Sequence, residues 1–190
     1  MTHACNERPS CVPGVVLAAG AGTRFGSPKV LADNGRWLSG AIGALARGGC
    51  APVFVTLGAA QVEVPAPAEA VEVPDWQDGV SASVRAGLAA ATAVPGMAGV
   101  VLTLVDLPDV TSGVVARVLS VADRSPSGLV RAVYDGAPGH PVYLGRDHLD
   151  AVMRTVHGDR GAGRLLDRHP EVLTVECGDL ATGRDVDRPD

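Results

Sequence analysis

Short apolar runs alternate along this chain with longer stretches in which apolar positions recur every three or four residues, and the alternation begins at Val12. Residues 12–19 form an apolar run that ends in glycines, the pattern of a buried strand feeding a turn. Residues 52–57 (PVFVTL) and 100–105 (VVLTLV) are continuous β-branched runs, expected where a parallel strand is covered on both faces. Helical periodicity is found at 38–47, 80–93 and 111–122. Beyond Gly128 the pattern is mixed, with strand-like segments at 129–134, 141–144 and 172–176 around short helical pieces near 146–154 and 163–168. Strands and amphipathic helices at this spacing predict right-handed βαβ units and a three-layer α/β/α fold with a mostly parallel central sheet. The Pro/Ala stretch at 64–70 reads as a connecting loop.

Length adds that one core suffices: 190 residues make a single domain the expectation, with residues 1–11 as a loose N-terminal arm and residues 12–190 as the folded unit. With 46% hydrophobic and 19% charged residues, the composition fits a globular protein with a well-buried interior. The apolar runs stop short of the roughly 20 residues that a membrane helix needs, so no membrane span is expected. A net charge of -5 and only two each of Trp, Tyr and Phe argue against a nucleic-acid partner, which would call for a basic surface or stacking aromatics. Anion binding must then come from a local group of backbone N–H donors and a few cations, which suits a small ligand better than a polymer. Cys5, Cys11, Cys50 and Cys177 form no C-x-x-C pair, and the first ten residues lack an apolar signal region. A reducing cytosol is the expected, cytoplasmic setting.

The candidate chemistry lies first in the loop after residue 17. Leu17, Ala18, Ala19, Gly20, Ala21, Gly22 and Thr23 lead out of the strand into small residues that let the backbone wrap a polyphosphate, its N–H groups forming an anion nest. A dinucleotide-binding fingerprint would need glycine where Phe25 stands, and no G-K-[ST] of a P-loop is present. Of the 16 Lys and Arg residues, Lys29 is the single lysine, and it stands at the end of this loop with Arg24 inside it. A compact ammonium suits contact with phosphate.

A second element is Asp106, which follows the apolar run 100–105 and so stands at the carboxyl end of a buried strand, where open α/β sheets bind ligands. Mg2+ takes hard oxygen ligands, usually one or two carboxylates plus substrate phosphates, and Asp106 is the leading candidate. The C-terminal Asp185-Val186-Asp187-Arg188 offers a second carboxylate, from either Asp185 or Asp187.

The string L-A-A-G-x-G-x-R-x-G-x-x-K at residues 17–29 resembles the signature of the GT-A-type nucleotidyltransferases, especially the molybdenum cofactor cytidylyltransferase (MocA/MobA-like) branch. Asp106-Leu107-Pro108 corresponds to that family's metal-binding aspartate, and residues 185–190 are similar to its D-[IV]-D-T-P-E-D, with Arg188 in place of threonine. Residues 74–88 resemble the segment bordering the nucleotide base, with Ser83 in its S-[LV]-x-x-G-L and Val73 replacing the usual asparagine. Gly139-His140-Pro141 matches the branch's G-H-P on the acceptor side. Residues 158–166 match G-D-x-G-A-R-x-L-L with one additional residue, Gly163, before Arg164. The segment after Lys29 departs from the family, with Ala32-Asp33-Asn34-Gly35-Arg36-Trp37 where a G-x-P is usual.

The resemblance implies a Rossmann-like nucleotidyltransferase (GT-A) fold whose residues 12–110 bind nucleotide and whose residues 111–190 bind the acceptor. It implies CTP, because L-A-A-G accompanies CTP-using members, or another NTP. It further implies Mg2+ on Asp106 with Asp187 or Asp185, and Lys29, Arg24 and Asp106 as catalytic residues. Gly139, His140 and Arg164 would meet the acceptor, with Arg160 a further cation on that side. The acceptor would be molybdopterin, or another phosphorylated small molecule such as a sugar phosphate, and a molybdoenzyme or chaperone contact is implied as well. A carrier that binds molybdopterin or nucleotide without turnover is the rival from another class. Because a phosphate monoester is already mostly ionised near neutral pH, with a second pKa of about 6, the acceptor oxygen needs no general base.

Overall fold

A computed structural model describes residues 11–159 and 161–187, with Arg164 described as backbone only. Its strands are β1 (Gly14–Leu17), β2 (Val53–Leu57), β3 (Ala68–Glu72), β4 (Gly99–Leu104), β5 (Leu129–Tyr134), β6 (Ala137–Gly145) and β7 (Leu173–Glu176). The helices are α1 (Arg36–Gly48), α2 (Val80–Thr92), α3 (Ser112–Ala122), α4 (Arg146–Thr155) and α5 (Gly163–Arg168). One seven-stranded sheet has the order β3-β2-β1-β4-β6-β5-β7. β1 pairs in parallel with β2 and β4, β2 with β3, and β5 with β7; β6 alone runs against its neighbours β4 and β5. The expected mostly parallel sheet is therefore present, with β6 as its one reversed strand.

Two apolar layers flank the sheet, because successive side chains on a strand point to opposite faces. Val16, Val53, Val55 and Val101 pack with Leu38, Ile42 and Leu45 of α1 and Val114, Val115 and Val118 of α3. Val15, Leu17, Val100 and Leu102 pack with Val84 and Leu88 of α2 and Leu149 and Val152 of α4. All four positions of β1 are buried, which accounts for its continuous apolar run. Among the described residues no helix is long and apolar enough to cross a membrane.

Two expectations need correcting. The stretch at 64–70 is a loop only at its start, since β3 runs from Ala68 to Glu72 along the sheet edge in register with β2. Its sequence, AEAVE, lacks the apolar run of the inner strands because an edge strand is covered less and commonly carries charge. Cys11 is also no part of a loose arm. Its carbonyl accepts from the Ala98 N–H at 2.8 Å, it bridges to Met97, and its thiol donates to the Ala51 carbonyl at 2.8 Å.

Candidate active site

The loop after β1 is held at its root by main-chain and hydroxyl contacts. The buried Thr56 of β2 accepts the Ala18 N–H at 3.2 Å, and the Ala59 N–H donates to the Ala19 carbonyl at 3.0 Å. The loop then turns at Gly22, where φ is +61° and an added Cβ would collide with the Ser27 carbonyl oxygen. The Gly26 N–H closes the turn on the Gly22 carbonyl at 2.8 Å. Glycine is required there both for its left-handed backbone and for the missing side chain.

Lys29 opens a 3-10 turn, Lys29–Gly35, and its ammonium points across the strand tips. It donates to Asp106 Oδ2 at 2.7 Å and to Asp187 Oδ1 at 3.1 Å. The Lys29 and Asp106 side chains are only 15% and 16% exposed, so this pair is largely screened from water. Burial lowers the Lys29 pKa, but the hydrogen bonds and charges of Asp106 and Asp187 outweigh it and hold the ammonium above its ordinary value. Arg24 reaches the other oxygen of Asp187 at 3.8 Å and is itself well exposed.

Asp187 arrives from the C-terminal segment, which is tied down along the tip of β4. The Thr182 N–H and hydroxyl both donate to Asp109 Oδ2 at 2.6 Å, and the Val186 N–H donates to the Asp106 carbonyl at 3.1 Å. Gly183 has φ +62° and lies on the Tyr134 ring, leaving no room for a side chain. Of the two terminal carboxylates, Asp187 pairs with Lys29, whereas Asp185 is near enough to His140 for their charges to interact.

These elements enclose a cavity of about 480 Å3. Residues 17–24, Lys29, Ser83, Asp106 and Asp187 all line it, so the loop, the lysine and two carboxylates expected from the sequence come together. Ser83, on the first turn of α2, is only 5% exposed and is set into the wall. Trp76, Gln77, Gly79, Val80, Leu104, Val105 and Asp159 complete the lining. Asp159 was not singled out by sequence, although its Gly158-Asp159 dipeptide stands inside the matched 158–166 segment.

Gly139 and His140, expected on the acceptor side, are not among the residues that line this cavity. Gly139 and His140 are on β6, where Tyr134 Oη donates to the His140 carbonyl at 2.6 Å and Arg131 Nε donates to the Gly139 carbonyl at 3.4 Å. Gly139 lies against the Tyr134 ring, 2.7 Å from where a Cβ would be, which is a packing reason for glycine. Arg131 also pairs with Asp167 at 2.5 Å. Burial pushes the His140 pKa down to about 4, helped by the Arg131 charge and opposed by Asp185. The imidazole is therefore neutral near pH 7. Arg164 falls on α5, with its side chain outside the description, and Arg160 and Arg188 lie outside the described residues.

Among the described residues no group of three or more His, Cys, Asp or Glu side chains is gathered for a metal. Two carboxylates converging on one cation are nevertheless the donor set that Mg2+ takes when substrate phosphates complete its shell, and the Lys29 ammonium marks where positive charge is held.

The chain is 36% identical over 193 residues to nicotine blue oxidoreductase of Paenarthrobacter nicotinovorans, covering 93% of this chain and 92% of that protein. Among solved structures it is similar to Rv0371c from Mycobacterium tuberculosis H37Rv, at 28% identity and a TM-score of 0.73, with 95% and 94% of the two chains covered. A structure of Rv0371c in complex with manganese aligns at 25% identity and a TM-score of 0.69, covering 93% and 94%. Residues 14–172 match the family described as the MobA-like NTP transferase domain, which takes in β1, the glycine-rich loop, Lys29 and Asp106, and the chain belongs to that family.

Proposed function

We propose that this protein is a Mg2+-dependent nucleotidyltransferase that moves CMP from CTP to the phosphate of a small acceptor and releases pyrophosphate. The acceptor we favour is molybdopterin, on the resemblance to the cytidylyltransferase branch. The observation that carries the reading is the meeting of Lys29, Asp106 and Asp187 in the lining of a cavity that the 17–24 loop also lines. The loop amides and Lys29 bind the triphosphate as it lies along the small residues 20–23. Asp106 and Asp187 would hold the metal, which when bound neutralises phosphate oxygens as a Lewis acid; the manganese complex of Rv0371c supports a divalent cation in a related protein. An acceptor phosphate oxygen forms a bond to the α-phosphorus while the bond from that phosphorus to the bridging oxygen of the β-phosphate breaks, and the electron pair leaves with pyrophosphate. Lys29, freed from a carboxylate, meets the charge that builds up on the leaving group. Gly139, His140 and Arg164 contribute to the acceptor side in this reading, and its setting is the cytosol.

The test is to mix the protein with CTP or GTP, Mg2+ and molybdopterin or a sugar phosphate, and to measure pyrophosphate. Release that depends on CTP and an acceptor is expected. Tight nucleotide binding without release would favour a carrier.

A second reading follows from the 36% identical relative, which is an oxidoreductase. Under it the same cavity would hold the ligands of a redox reaction in place of a triphosphate and its acceptor. Oxidation of NADH or NADPH in the presence of a dye acceptor, undiminished by Asp106→Asn, would favour this reading over nucleotidyl transfer.

A further inference from the structure

Asp159 lines the cavity from the face of the sheet on which α2 and α4 pack, whereas Val30, next to Lys29, packs with α1 and α3 on the other face. The turn that carries Asp159 follows α4 and is docked on the start of α2 at two points. The Ser81 N–H donates to the Gly158 carbonyl at 2.9 Å, and Arg85 Nη1 donates to the Val156 carbonyl at 3.0 Å. Gly79, just before α2, has no side chain, and a Cβ there would stand 2.5 Å from Asp159 Oδ1 and 2.7 Å from the Gly158 carbonyl oxygen. The close approach of this turn thus depends on Gly79, and it brings the Asp159 carboxylate into the cavity lining beside Gln77 and Gly79. Among the described residues the Asp159 carboxylate takes part in no hydrogen bond or ion pair, unlike Asp106 and Asp187.

We propose that Asp159 reads the nucleobase, accepting a hydrogen bond from an exocyclic amino group and so selecting cytosine over uracil. The proposal rests on the nucleotidyltransferase reading in one respect: with the triphosphate on the loop and Lys29, the base is the part of the ligand left to meet the α2 and α4 side of the cavity. An ionised carboxylate accepts and cannot donate. Cytosine offers the amino group that a carboxylate pairs with, whereas uracil places a carbonyl oxygen there and meets repulsion. Discrimination by such a contact is strong, because the wrong base leaves polar groups facing one another without a hydrogen bond. Ser83 in the same wall is a hydroxyl that can donate or accept, so it does not separate the two bases.

The test is calorimetric titration of non-hydrolysable CTP and UTP analogues with Mg2+ into wild type, Asp159→Asn and Asp159→Ala, with thermal melting to check that each variant folds. Wild type is expected to bind the CTP analogue more tightly. In Asp159→Asn the carboxamide can turn its NH2 to the uracil carbonyl, so the CTP-to-UTP affinity ratio is expected to fall roughly tenfold, with UTP binding gained as well as CTP binding lost. Asp159→Ala is expected to weaken CTP binding without that gain. Equal affinities in wild type, an unchanged ratio in Asp159→Asn, or the same loss for both nucleotides in both variants would overturn the assignment. Wild type that binds neither nucleotide would instead remove the nucleotidyltransferase reading itself.

Discussion

Lys29 and Asp106, 77 residues apart in sequence, meet at 2.7 Å with both side chains largely shielded from water. Neither residue is placed by its own neighbours alone. β1 and β4 lie side by side in parallel, so the loop leaving one and the turn leaving the other emerge at the same edge of the sheet. Asp187 joins from the C-terminal segment and shares the same ammonium at 3.1 Å. In the proposed reaction that ammonium is a cation held in place before substrate arrives.

The carboxylates separate by variant. Asp106→Asn and Asp187→Asn are each expected to lower turnover by about 100-fold or more, the scale of removing one charge-stabilising group from an active site. Asp185→Asn is expected to stay within a few-fold of wild type, because Asp187 and not Asp185 pairs with Lys29. Steady-state pyrophosphate release measures all three. An Asp185→Asn loss as deep as that of Asp187→Asn would contradict the assignment.

Lys29→Met carries two expectations of opposite sign. Turnover falls by about 100- to 1,000-fold, since the phosphate loses its fixed cation. Binding of Mn2+ alone tightens, because the ammonium no longer competes for Asp106 and Asp187. Titration followed by the paramagnetic resonance of free Mn2+ reads the second effect without any catalysis. Metal affinity that falls in this variant would show that Lys29 supports the metal site instead of occupying it.

Gly22→Ala tests the loop. Its left-handed backbone and the Ser27 carbonyl leave no place for a methyl group, and strain of about 1–3 kcal/mol is expected at such a position. The loop would relax by opening its turn, so nucleotide affinity is expected to fall at least about tenfold while melting falls by only a few degrees. Calorimetry and thermal melting together separate this outcome from general unfolding.

His140 gives a pH dependence. Its folded pKa is pushed down to about 4 from 6.5, first by burial and then by Arg131, against the pull of Asp185. Between those values the unfolded chain binds a proton that the folded chain does not. The stability contributed by the neutral ring is therefore complete above 6.5 and is lost as pH falls towards 4. Melting temperature is expected to decline from about pH 7.5 to about pH 5, and His140→Gln to flatten that decline. Glu176 and Asp179 have lowered pKa values from 4.5 and 3.8, so their losses fall below this window.

The legible parts of the fold were those with a strong local signature. β1, β2 and β4 are buried on both sides and so are apolar throughout, and the small residues after β1 mark a tight turn whatever surrounds them. Asp106 was legible because a carboxylate just beyond a buried strand stands where such sheets gather ligands. β3 was not, since its AEAVE sequence is set by an exposed edge and its pairing by β2. That Asp187 and not Asp185 meets Lys29 depends on Asp109 holding Thr182 and on the Asp106 carbonyl holding Val186. Those long-range ties leave no mark in the local pattern. Asp159 was hidden for the same reason, for it enters the cavity only through contacts of its turn with Gly79 and Ser81.

The most direct test of the central claim is a crystal structure with Mn2+ and a non-hydrolysable CTP analogue, with the metal located by its anomalous scattering. The expected result is a single peak bridging Asp106, Asp187 and the analogue's phosphates, with the triphosphate along residues 20–24. A peak elsewhere, or a triphosphate lying away from that loop, would contradict it.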